Sequence, residues 1–259
     1  MKISVITVTY QAGQVLRRTV ESVLGQTFPD VEHLIVDGAS KDETLTLAFD
    51  YKMRSDASKC GHEVIIVSEP DRGIYDAMNK GLARVTGDYV VFMNAGDAFA
   101  NNDVLSLVAR MAESGDEEEL PAVVYGDTDI VDGGGNYLYK RPLAPPERLT
   151  WRSFRQGMLV CHQAFYARAD LAREVPYDLQ YRYSADVDWC IRVMKEAERR
   201  HLSLVNTHAT VVSYLEEGAT TKHHRASLKE RFRVMCRHYG VGVTVVMHLW
   251  FLVRKKRKG

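Results

Sequence analysis

A strand-like apolar run followed by an amphipathic helical pattern occurs three times in succession, before a fourth apolar run at residues 88–93. The strands are Ile3–Thr9, residues 31–36 and residues 63–67. The helices run over 14–25, from a cap at Ser40 or Asp42 to about Met53, and over 74–85. Runs apolar on successive residues belong to strands covered on both faces. Strand–helix–strand units cross over right-handed, so the repetition demands a parallel sheet with helices packed on it. Open sheets of this kind bind ligands where the carboxyl ends of the strands emerge. Here those ends carry Asp37, residues 68–71 and residues 94–97, all of them polar stretches.

A chain of 259 residues makes one large domain or two small ones, with a core that needs no staples. Its 26% charged content excludes disorder and a collagen-like fibre. Cys60, Cys161, Cys190 and Cys236 form no C-x-x-C pair, which argues against a zinc knuckle or a disulfide scaffold. The amino terminus enters a strand without a signal-peptide layout, and the expected location is the reducing cytoplasm. Past about residue 120 the alternation loosens. Residues 123–125 and 137–140 read as strands, 141–146 as a Pro-rich loop and 186–199 as a helix.

Tyr10-Gln11-Ala12-Gly13 follows the first strand, and neither a dinucleotide fingerprint nor a P-loop is present. That weighs against a Rossmann dehydrogenase and a P-loop NTPase. The binding edge offers carboxylates, so a diphosphate held there calls for a bridging divalent cation, Mg²⁺ or Mn²⁺. Asp37 suits a nucleobase N–H or a ribose hydroxyl, or is an ordinary turn aspartate. Asp97 suits a metal ligand or a strand-to-helix turn. Asp186 and Asp188 open a helix, where acids are common dipole partners. The residues alone leave each alternative open.

Ile3-Ser4-Val5-Ile6-Thr7-Val8-Thr9-Tyr10, Val36-Asp37-Gly38-Ala39-Ser40-Lys41-Asp42-Glu43-Thr44 and Gly87-Asp88-Tyr89-Val90-Val91-Phe92-Met93-Asn94-Ala95-Gly96-Asp97 resemble the family 2 glycosyltransferases of the GT-A fold. Ser68-Glu69-Pro70-Asp71-Arg72-Gly73-Ile74-Tyr75-Asp76-Ala77-Met78-Asn79-Lys80-Gly81 is similar to the branch that builds bacterial exopolysaccharides, such as colanic-acid and capsule transferases. The resemblance is strong over residues 1–110 and extends weakly to about residue 200. It implies an α/β GT-A fold, Rossmann-like, with a mostly parallel sheet flanked by helices and with C-terminal helices. Residues 1–221 would form the GT-A domain, with a nucleotide-sugar-binding half at 1–110 and an acceptor half at 111–221. Residues 222–259 would form a tail.

The activity implied is inverting transfer of a sugar from a nucleotide-diphosphate sugar, UDP by default, to an acceptor hydroxyl of a saccharide or a lipid-linked oligosaccharide. Carried over by position, Thr9, Tyr10, Asp37, Asn79, Asn94 and Asp97 line the nucleotide-sugar pocket, with Asp37 facing the base. Asp97 ligates the metal and Asp186 takes the acceptor's proton. His162 and Asp188 fall on the acceptor side, and His223 or His224 falls where some GT-A enzymes ligate metal. The sequence departs from the pattern at Gln11, Met78, Asn94, Gly96 and Ala185. These departures motivate an alternative, a catalytically degenerate GT-A nucleotide-binding module. Asp127 and Asp129 read as solvated strand residues, and residues 116–119 as a solvated turn.

The 34 basic and 34 acidic side chains cancel, yet residues 222–259 hold eleven of the basic ones and a single acid, Glu230. Leu228, Phe232, Met235 and Tyr239 recur at helical spacing among Lys229, Arg231, Arg233 and Arg237, the pattern of a basic amphipathic helix. Residues 240–253 are mostly apolar but short of the roughly 20 residues a spanning helix needs. Residues 254–258 are all basic. The expectation is a tail lying on an anionic membrane, the inner face of the plasma membrane, with a helix packed on the body as the alternative. No nucleic-acid-binding module is recognisable, and nucleic acid is not an expected partner.

Overall fold

The computed structural model describes residues 1–114, 119–216 and 224–256. Strands β1 (Ile3–Thr9), β2 (Val31–Asp37), β3 (Glu63–Ser68) and β4 (Tyr89–Phe92) pair in parallel in the order β3-β2-β1-β4. Every residue of β1, β2 and β4 is buried, which is why their sequences are continuous rather than alternating. Helices α1 (Leu16–Leu24), α2 (Thr44–Ser58) and α3 (Ile74–Leu82) make the crossovers. Leu34 and Val36 pack with Met78 and Leu82 of α3 on one face. Ile35 packs with Leu16, Val20, Ala48 and Tyr51 on the other.

The second half extends the same sheet past β4. Helix α4 (Val104–Glu113) and strands β5 (Ala98–Phe99), β6 (Val123–Val131), β7 (Tyr137–Lys140), β8 (Phe165–Arg168) and β9 (Leu204–Leu215) belong to it. The order continues β4-β8-β6-β9-β5, with β7 on β6. Here the sheet becomes mixed: β8 is antiparallel to both β4 and β6, β5 to β9, and β7 to β6, while β6 and β9 run parallel. Helices α5 (Ala169–Glu174) and α6 (Ala185–Arg199) follow, and short 3-10 turns lie at Trp151–Gln156 and His162–Ala164.

Two helices close the chain, α7 (His224–Tyr239) and α8 (Val241–Lys256), hinged at Gly240, whose φ of 82° favours glycine. The structure corrects the expectation for α7. Val234 and Met235 are buried in the core, Arg237 donates to Asp178 at 2.8 Å, and His238 meets Asp188 at 2.8 Å. This helix is docked on the body, the alternative the sequence left open, with Met235 of its apolar line and Arg237 of its basic one among the docking residues. On α8, Met247 and Phe251 pack inward, while Val241, Val246, Leu249 and Trp250 are exposed. Among the described residues no helix is long and apolar enough to cross a membrane. His223, the side chains of His224 and residues 254–258, and most of the turn at 116–119 lie outside the described residues.

Candidate active site

The parallel register brings Thr9, Asp37 and Ser68 to one level at the carboxyl edge of the sheet. Asp37 is completely buried. One carboxylate oxygen accepts the hydroxyls of Thr9 at 3.0 Å and Ser40 at 2.5 Å; the other accepts the Ser40 N–H at 2.9 Å and the Ser68 hydroxyl at 2.7 Å. Four donors on one carboxylate fix the two loops against each other. Gln11 and Ala39, on those loops, sit in the left-handed region at φ 52° and 60°, and the Gln11 N–H donates to Ser40 Oγ at 2.9 Å. Strain of this kind collects at ligand-binding edges.

Beside Asp37 the surface opens. A Cβ on Gly38 would stand 2.4 Å from Asp71 Oδ2 and 3.2 Å from the Tyr10 ring, so a larger residue there would displace the Asp71 carboxylate. Tyr10 is 68% exposed, which leaves its ring free to take a flat ligand. Asp71, only partly covered, closes the polar stretch 68–71 that the sequence placed at this edge. Asn79 lies elsewhere. Its amide donates to the Tyr177 carbonyl at 2.9 Å and accepts the Tyr177 N–H at 2.7 Å, bracing α3 against the chain ahead of α6.

The turn at residues 94–97 follows β4. Gly96 has φ 100°, and a Cβ there would reach within 2.8 Å of Leu215, so the turn closes tightly on the end of β9. Asp97, 4% exposed, accepts the Leu215 N–H at 2.9 Å and Gln163 Nε2 at 2.7 Å. Burial pushes its pKa up to about 6, against the pull of those two donors, His162 and Arg18. Thr19 and Arg18 of α1 bond the backbone of the same turn. Asn94 Oδ1 is buried without a hydrogen-bond partner. An orphaned amide oxygen and a carboxylate on one turn are hard donors that fit Mg²⁺ or Mn²⁺. Among the described residues no three His, Cys, Asp or Glu converge as a ready-made cage.

Asp186 stands in the first turn of α6. Its carboxylate accepts the Tyr75 hydroxyl at 3.2 Å and lies 3.5 Å from His162 Nδ1. Burial works to raise its pKa, but His162, Arg231 of α7 and the Val187 N–H outweigh it, so the group sits below the usual carboxylate range. Asp188 is different. It is fully buried, with one oxygen on Arg192 at 2.6 Å and the other on His238 at 2.8 Å. The structure therefore corrects the acceptor-side expectation for Asp188, which ties α6 to α7. Tyr75, Gln163 and Arg231 were not legible as site residues, because helical or motif position gives no sign of which carboxylate a side chain will meet.

Residues 4–175 match the family described as glycosyl transferase family 2. The chain belongs to that family. A PGL/p-HBAD biosynthesis glycosyltransferase of Mycobacterium bovis is 34% identical over 216 residues, covering 83% of this chain and 77% of the relative. Among solved structures, residues 1–349 of S. aureus TarS with UDP-GlcNAc superpose with a TM-score of 0.71 at 18% identity, over 95% of this chain and 67% of that one. The mannosyltransferase PcManGT from Pyrobaculum calidifontis, with GDP-Man and Mn²⁺, gives 0.63 at 16% identity, over 96% and 70%. At those identities the two structures establish the shared GT-A fold. In this family 2 glycosyltransferase the carboxyl edge of the sheet thus gathers Thr9, Tyr10, Asp37, Asn94, Asp97, His162 and Asp186, while Asn79 and Asp188 serve as struts.

Proposed function

We propose that this glycosyltransferase moves a sugar from a nucleotide-diphosphate sugar, UDP-linked by default, to an acceptor hydroxyl with inversion at the anomeric carbon, using Asp186 as the base. The observation that carries this reading is exposure. Asp37, Asp97 and Asp188 are 0%, 4% and 0% exposed, whereas the Asp186 side chain keeps 19%. Of these four acids, Asp186 has the most exposed side chain, as a base that meets an incoming hydroxyl requires. An inverting displacement needs a carboxylate to take the attacking hydroxyl's proton on the face opposite the leaving phosphate. The depressed pKa keeps Asp186 ionised, and the Tyr75 and His162 contacts hold its direction.

At the other end of the edge, Tyr10, Gly38 and Asp71 receive the nucleobase, and Asp37 keeps their loops in place. Asp97 and the Asn94 amide oxygen would hold Mg²⁺ or Mn²⁺, which supplies Lewis-acid stabilisation of the departing diphosphate. The UDP-GlcNAc and GDP-Man/Mn²⁺ complexes of the two structural neighbours support a nucleotide-sugar donor and a divalent ion. The acceptor in this reading is a saccharide or lipid-linked oligosaccharide of bacterial surface polysaccharide synthesis. The enzyme works at the cytoplasmic face of the membrane, with the exposed apolar side of α8 and the basic residues 254–258 against anionic lipid. The biosynthetic role named for the mycobacterial relative supports a surface-glycan product.

The test is a thermal-shift screen with UDP, GDP, dTDP and CDP, with and without Mn²⁺. A ligand that binds the folded state raises the melting temperature by mass action. The expected result is a shift with one nucleotide that grows with Mn²⁺ and is lost in Asp97→Ala. Absence of a shift with all four nucleotides overturns the donor site.

A further inference from the structure

The first turn of α6, which presents Asp186, is not capped by its own sequence. Ser184 is the N-cap and makes no side-chain cap; its hydroxyl turns instead toward Ser227 O on α7 at 3.2 Å. The cap arrives from α7. One oxygen of Glu230 accepts the Arg182 N–H at 3.0 Å, and the other accepts the N–H groups of Tyr183 at 2.6 Å and Ser184 at 3.1 Å. These are three successive backbone donors in the segment that ends at the N-cap Ser184. They converge on the single acid in the basic tail.

We infer that Glu230 is a positioning residue: by gripping the amides of residues 182–184 it fixes where α6 starts, and so where the Asp186 carboxylate points. The inference rests on the proposed role of Asp186 as base. Its neighbour Arg231 serves the same centre differently, since its positive charge favours the ionised Asp186. Through these two residues α7 orients the proposed base, although the helix lies in the segment whose charge suggested an anchor. A small displacement of a base from the proton it must take is costly, because proton transfer demands hydrogen-bond reach.

The experiment compares the full chain with Glu230→Ala, Glu230→Gln and a control on the same helix, Lys229→Gln, whose side chain is exposed. Amide hydrogen exchange reads the grip directly, without any substrate. Glu230→Ala should speed exchange at residues 182–184 by about tenfold or more, while β1 to β4 stay protected and Lys229→Gln changes nothing. Nucleotide release from UDP-glucose, UDP-galactose, UDP-GlcNAc and GDP-mannose reads the consequence. A fall in kcat of about 10- to 100-fold with KM within about threefold marks an orientation effect. Glu230→Gln, which keeps one acceptor oxygen, should recover part of both losses.

Unchanged exchange at residues 182–184 in Glu230→Ala overturns the grip, whatever the kinetics. Faster exchange with kcat unchanged, or a fall in kcat wholly accounted for by the fraction of protein that no longer binds nucleotide, overturns the positioning role. A wild type that releases nucleotide from none of these donors overturns the transferase reading and the catalytic half of this inference, leaving exchange to decide the grip alone.

Discussion

His162 bridges the tip of β4 to the first turn of α6: its Nδ1 lies 3.5 Å from Asp186 Oδ2 and its Nε2 3.2 Å from Asn94 Nδ2. One imidazole thus links the amide at the tip of β4 to the carboxylate at the start of α6. Its contact with the carboxylate favours the ionised form of Asp186. Asp186→Asn should therefore lower turnover by about 10²- to 10⁴-fold with nucleotide affinity retained. A variant that turns over at the wild-type rate would remove Asp186 from the chemistry.

His162→Ala separates charge from position. Without the imidazole, the burial that already opposes ionisation of Asp186 gains weight, and its pKa rises. Because a base works only in its ionised form, the acid limb of kcat/KM should move to higher pH. The loss should be greater at pH 5 than at pH 8. An acid limb that stays put in the variant would show that His162 does not tune Asp186.

Asp97 is expected to trade stability for function. Its pKa is raised to about 6, so the folded state holds the proton more tightly than the unfolded chain. The stability from the protonated form is complete below pH ~3.8 and is lost as pH rises through about 6. Asp97→Asn removes the buried charge, and the Gln163 amide can turn to present its oxygen to the new donor. We expect a gain of about 1–2 kcal/mol at pH 8, or roughly 2–6 °C in Tm, and about half of that at pH 5. Activity should fall at the same time. Differential scanning fluorimetry at the two pH values, without added metal, checks the sign.

His33 acts in the opposite direction. It is fully buried between Thr7 Oγ1 at 2.9 Å and the Tyr51 hydroxyl at 2.8 Å, and burial lowers its pKa to about 3. The unfolded chain then binds a proton that the folded one refuses. The stability contributed by neutral His33 is present above pH ~6.5 and is lost as pH falls toward 3. Between pH 7.5 and 5 the loss should be about 2 kcal/mol. His33→Gln should be less stable at pH 7.5 yet show a flatter slope in urea melts across that range; an equal slope would exonerate His33.

Removing residues 241–259 should abolish binding to vesicles containing anionic phospholipid and leave donor hydrolysis largely intact, because α8 meets the membrane in our reading while α7 remains on α6. Undiminished vesicle binding after the truncation would refute the anchor. Binding that survives 1 M salt in the full chain would point to the apolar face of α8 rather than its charge, since the Debye length is then only about 3 Å.

The amino-terminal half was legible because burial on both faces writes itself into the sequence. β1 was expected at Ile3–Thr9 and occupies Ile3–Thr9, and the helix expected at 186–199 spans Ala185–Arg199. Those continuous strands and their polar ends also placed the binding edge at Asp37, Ser68 and Asp97. β9 escaped. Leu204–Leu215 mixes Asn206, Thr207 and His208 with apolar residues, and its register against β6 shifts around residue 127, so neither a period of two nor an apolar run marks it. The sheet's turn from parallel to mixed at β8 left no local trace either.

What the sequence determined by itself was the class of fold and which residues stand at the carboxyl edge of its parallel strands, since these follow from local apolar pattern and from motif. Tertiary structure decided the division of labour among the acids. Asp186 and Asp188 are two residues apart on one helix, yet one is 19% exposed beside His162 and Tyr75, and the other is sealed between Arg192 and His238. The difference is the roughly 200° of rotation between positions i and i+2 of a helix, which sends the two side chains to opposite faces. Likewise, Glu230 and Arg231 read as members of a charged tail until α7 docked. A carboxylate's role depends on which donors surround it, and those come from segments far away in the chain.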